Sequence, residues 1–140
     1  MTMAAPLLRW RQLDDARRKL LCRAAWWLSV ASASVALLPF NRAIRIGCIK
    51  RSTERGQSIE SIVWAIEAAA RRLPWRTMCI EQGIAAQRLL RSSGLEAVLH
   101  YGARHRLQDG RLEAHVWVSV GGAVVGNGDT AGFAEVATYK

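Results

Sequence analysis

Cysteine is scarce in this chain. Cys22, Cys48 and Cys79 are the three among 140 residues. The number is odd, no Cys-x-x-Cys occurs and no histidines cluster, which excludes a disulfide framework or a zinc site as the organising device. A reducing, cytoplasmic setting is the expectation, with neither metal nor cofactor. Acidic residues are also few: 11 Asp and Glu stand against 20 Lys and Arg, a formal charge of +9. The start of the chain is already charged and helical, so it lacks the short basic and then apolar pattern of a secretory signal. No internal repeat is visible. The length gives one core and leaves no room for two comfortable domains.

What is present describes a globular protein: 51% apolar residues and 22% charged. Six tryptophans, Trp10, Trp26, Trp27, Trp64, Trp75 and Trp117, are many for this length, and most are expected in the core. The positive charge suits an anionic partner. Its arginines are spread over many helical turns without interleaved exposed aromatics, so no nucleic-acid partner is expected.

Along the chain, helical signals come first. Leu13 to Arg23 is a basic helix with acids leading and bases trailing. It runs into Ala24 to Phe40, the most apolar stretch, closed by Pro39. That stretch only approaches bilayer-spanning length and holds three serines, so a buried or interface-lying helix is expected. Residues 41–57 read as a connector. Ser58 then caps a helix with Ile59, Ile62, Val63, Ile66 and Ala70 at helical spacing, stopped by Pro74. A third helix is expected from Thr77 as N-cap to Gly94 as the residue past its end.

Beyond Gly94 the period becomes alternating. Ala97 to Tyr101 and Ala114 to Val120 read as strands joined through the Asp109-Gly110 turn. Gly121-Gly122 turns into Ala123 to Val125, and the tail reads as loop and edge strand. Helices followed by antiparallel strands make an α+β fold. Residues 1–57 form a helical region packing on a core of residues 58–140, one compact domain overall.

Two residues stand out for chemistry. Cys79 falls in the first turn of the third helix, where unpaired N–H groups and the positive end of the helix dipole favour thiolate and can hold an oxyanion. His115 lies in a strand, sharing a face with Trp117 and Ser119 while Val116, Val118 and Val120 face the other way. A base on a strand facing a thiol at a helix end suits acyl transfer. Cys22 and Cys48 read as structural. The groups that could orient the imidazole are Asp129, preferred, and Asn127; both are also ordinary turn formers.

These segments together, Leu73-Pro-Trp-Arg-Thr-Met-Cys79, Ala85 to Arg91, Gly94 and Ala114-His-Val-Trp-Val118 with its Gly-Gly turn, resemble the leader peptidases of lasso peptide biosynthesis. The resemblance covers roughly residues 20 to 138 and implies a transglutaminase-like, papain-type core. It implies Cys79 as nucleophile and His115 as base. The family's aspartate register falls near Asn127, with Asp129 two residues on, so the third member departs from the family pattern.

The resemblance also implies partners: a lasso precursor peptide, and an ATP-using cyclase related to asparagine synthetase that closes the macrolactam. Many relatives carry a fused leader-binding module. The N-terminal helices here belong to the peptidase region, so a separate leader-binding protein (a RiPP recognition element) is expected. Trp75 and Trp117 flank the catalytic positions, as substrate walls or as core packing. The Trp26-Trp27 face is a docking surface or, preferably, buried. Rival readings are amidase or transglutaminase transfer to an amine, a non-catalytic scaffold binding an acidic leader or a membrane, and a membrane-anchored protein.

Overall fold

The computed structural model describes residues 10–126 and 129–140. Helix α1 spans Asp15–Leu37 as one uninterrupted element. It begins two residues after Leu13 because the side chain of Asp14 accepts from the Arg17 N–H at 2.7 Å and sets the N-cap there. It ends before Pro39, which cannot continue a helix. A short helix α2, Phe40–Ala43, leads into the connector.

Helix α3, Ile59–Arg72, starts at Ser58, whose hydroxyl accepts from the Ser61 N–H. Helix α4 is Cys79–Ser92. Its N-cap is Met78, not Thr77. The carboxylate of Glu81 accepts from the Met78 N–H at 2.9 Å, closing the end from inside the helix. Thr77 is buried, and its hydroxyl accepts from the Gln82 amide instead. Gly94, at φ +83°, follows the C-cap as expected.

Strand β1, Ala97–His105, pairs antiparallel with β2, Leu112–Val120, across the hairpin whose Gly110 takes φ +68°. Strand β3, Ala123–Val125, pairs with β2 only at Val118–Val120. The tail holds β4, Ala134–Tyr139, which returns to the other edge of β1. The sheet order is therefore β3-β2-β1-β4, all antiparallel.

The core lies between helices and one sheet face. Leu20, Leu21, Ala24, Leu28 and Ala31 of α1 meet Ile62, Ala65 and Ile66 of α3 and Ile84, Ala85, Leu89 and Leu90 of α4; Leu99, Val116 and Val118 close it from the sheet. At Gly83 a Cβ would stand 2.7 Å from Val116 Cγ1 and 2.9 Å from Leu99 Cδ1, so glycine is what lets α4 lie this close to the strands.

The tryptophans do not fill this core: none of the six is fully buried. Indole area is instead covered by guanidinium groups, with Arg88 over Trp27 at 4.2 Å and Arg17 over Trp64 at 5.2 Å. Trp26 is 64% exposed, against the preference for burial, because it lies on the side of α1 opposite the Leu20–Ala31 stripe.

Candidate active site

Cys79 is the first residue of α4, half-buried, with the hydrogen bond between Met78 and Glu81 fixing the turn just before it. One turn on, the Gln82 amide donates to the carbonyl and hydroxyl of Thr77, at 3.3 and 3.1 Å. The approach to the thiol is thus tied to the helix at both Thr77 and Met78. The thiol opens on a largely apolar pocket. Val63, Ile66 and Glu67 of α3, Gln82, Gly83 and Ala86 of α4, Val116 to Val118 of β2 and Val124 to Gly126 line it. A thiol at a helix N-terminus beside a cleft is placed to attack a carbonyl whose oxygen turns toward the first-turn N–H groups.

His115 sits in β2, half-buried, with its ring against Phe133 at 5.2 Å and Trp117 at 6.0 Å. Its Nε2 is buried and without a hydrogen-bond partner among the described residues. As the alternation predicts, Val116 and Val118 enter the core toward α4, and His115 projects from the other side of the strand. The buried Nε2 accordingly makes no hydrogen bond to the Cys79 thiol. Trp117 links the two places, lining the Cys79 pocket while its indole touches the His115 ring.

The other expected members are dispersed. Asp129 is exposed, and its carboxylate accepts from the Ala131 N–H at 2.9 Å, forming its own turn. Asn127 lies outside the described residues. Trp75 is exposed, and its indole N–H donates to the Ser32 hydroxyl on α1 at 3.0 Å.

The outer sheet face also carries an array that the sequence reading did not single out. His100 Nδ1 is 2.8 Å from Glu135 Oε2 and His100 Nε2 is 2.7 Å from Ser119 Oγ. A carboxylate only accepts, so Nδ1 carries the proton toward Glu135. The His100 ring stacks parallel on Trp117 at 5.5 Å, and the indole covers Gly102, where a Cβ would meet it at 2.7 Å. Phe133, His115, Trp117 and His100 thus form one aromatic row. The register pairing His100 with Trp117 and Gly102 with His115 creates it. Counting back from Asp109-Gly110 as a two-residue turn would pair His100 with Ser119 instead, because the loop between Arg106 and Arg111 holds four residues.

A family model described as the transglutaminase-like superfamily matches residues 23–138. No curated protein and no solved structure gives a match to the chain.

Proposed function

This chain belongs to the transglutaminase-like superfamily, which suggests cysteine peptidase or acyltransferase chemistry, and on that premise we propose that it is a cytoplasmic cysteine peptidase. Its substrate is the precursor of a lasso peptide, from which it removes the leader. The observation that carries the reading is the position of Cys79: first residue of α4, at the mouth of a pocket, with the free N–H groups of a helix end beside the sulfur. The resemblance carried by the motif around Cys79 and by His115-Val-Trp-Val118 supports a peptide leader as the substrate.

In the reaction His115 takes the Cys79 proton and the thiolate attacks the carbonyl of the last leader residue. The first-turn N–H groups of α4 hold the oxyanion, and His115 returns the proton to the leaving amine. Water then cleaves the thioester. The working pair requires the His115 ring to leave the face of β2 on which the pairing of His115 with Gly102 of β1 holds it. A separate leader-binding protein delivers the precursor, and an asparagine-synthetase-like cyclase closes the ring afterwards. Asp129, or Asn127 in its place, orients the imidazole.

Mass spectrometry of the precursor, incubated with the protein and a leader-binding partner, tests this. One cut at the leader–core junction is expected, lost in Cys79→Ala and in His115→Ala. No cut with any partner combination sinks the reading. A product joined to an amine instead of cleaved by water would assign amidase or transglutaminase transfer, which the same thiol supports.

A further inference from the structure

Helix α1 is apolar on two sides. One stripe, Leu20, Leu21, Ala24, Leu28 and Ala31, is buried in the core. On the opposite side Cys22, Trp26, Ala33 and Leu37 are exposed, at the spacing of a single helix face. Trp26 and Leu37 are 64% and 82% exposed, and Leu38 and Phe40 extend the apolar surface past the helix end. By length and composition the helix is apolar enough to cross a membrane, yet a third of that window is buried inside the protein. Crossing would pull the core stripe away from α3 and α4, so the helix can lie on a bilayer but not span it.

Charge decides what the exposed stripe faces. From Ala16 to Thr53 the chain has no Asp or Glu and eight Lys and Arg. Lys19 and Arg23 are exposed on the stripe side at its N-terminal end, and Arg42 is exposed just beyond its C-terminal end. An apolar strip with basic residues at both ends matches an anionic lipid surface: apolar side chains enter the acyl boundary and the cations stay with the headgroups. A second copy of this chain is a poor occupant, because pairing two such stripes in either direction brings basic ends onto basic ends or leaves them unmatched. A lipid surface also takes projecting side chains such as Trp26 and Leu37 without needing a complementary pocket.

We propose that the free face of α1, from Lys19 to Arg42, docks the protein on an anionic membrane surface. Trp75, hydrogen-bonded to Ser32 of this helix, ties the segment that leads to Cys79 to α1, and Met78, next in sequence to Cys79, is exposed. Docking does not depend on the peptidase reading, and its readout is independent of cleavage.

The experiment is co-sedimentation of the full chain with vesicles of phosphatidylglycerol and phosphatidylcholine, against phosphatidylcholine alone. Binding to the anionic vesicles only, weakening as salt rises, is expected. Trp26→Asp with Leu37→Asp should lower the partition coefficient at least tenfold, and Lys19→Glu with Arg23→Glu should lower it as well. All four side chains are exposed, so circular dichroism and melting of the variants should match the parent. The proposal is overturned if the parent stays in the supernatant with both vesicle types, or if the Asp variant pellets like the parent. It is equally overturned if the Asp variant's effect is loss of a dimer or of an acidic protein partner while vesicle binding is nil.

Discussion

Seventeen of the twenty cationic residues are arginine, and many of them are occupied inside the protein. Arg88 donates to the Ile46 carbonyl while lying over Trp27, and Arg91 donates to the carbonyls of Ile49 and Ala97. Arg104 covers Phe133 and pairs with Glu113. The planar guanidinium makes both kinds of contact at once, which lysine cannot. Part of the arginine content that composition shows is therefore internal wiring, while Lys19, Arg23, Arg42, Lys50, Arg55, Arg71 and Arg76 stay exposed. Two predictions belong at this scale. Asp129→Ala is expected to slow precursor cleavage by about 100-fold or more, and Asn127→Ala by less, in a mass-spectrometric time course. The reverse order would give the orienting role to Asn127. The second concerns Cys48, whose thiol is pushed above its ordinary range chiefly by burial, against the opposing pull of Arg91. The folded state then holds this proton more tightly than the unfolded one. Stability from this group is complete at neutral pH and falls as pH rises past the unfolded thiol's value of about 8.5. Cys48→Ala should flatten the alkaline decline of the melting temperature, and an unchanged alkaline limb would contradict it.

At the scale of elements, helix ends were more legible than site geometry. Ser58 and Gly94 cap helices where local chemistry puts them, because a hydroxyl acceptor and a left-handed glycine act within one turn. Thr77 has the residue type of an N-cap but does not serve as one, because Glu81, three residues after Met78, closes the end on the backbone of Met78 instead. β4 reads from sequence only as tail and edge strand, because Ala134, Glu135 and Val136 are exposed and give no inward pattern. Alternation placed His115 and Trp117 on one face of β2, as found, but periodicity within a strand does not say which face meets α4. That depends on Gly83 admitting Val116 and Leu99. Gly83→Ala should therefore cost about 1–3 kcal/mol by denaturant unfolding, and Val116→Ala in the same chain should recover part of it. Loss without recovery would place the strain elsewhere.

Across the whole molecule, one fully buried amide joins the last strand to the helices. Gln87, on α4, donates to the carbonyl of Tyr139 at 2.8 Å and more weakly to that of Ala97 at 3.4 Å, and its oxygen receives the Cys48 thiol at 3.9 Å. Arg91 donates to Ala97 as well, so β1 keeps a partner if the amide is lost. For Tyr139 no other side-chain donor is seen among the described residues, which makes β4 the dependent element. That strand carries Glu135, which holds His100, which stacks on Trp117. Gln87→Leu preserves much of the volume but leaves the Tyr139 carbonyl without its donor, a change that costs about 1–3 kcal/mol. Hydrogen exchange is expected to rise first in residues 134–139 and at the β1 positions paired with them, while α1 and α3 stay protected. Uniform loss of protection through every element would show that the amide supports the fold as a whole and not the attachment of its last strand.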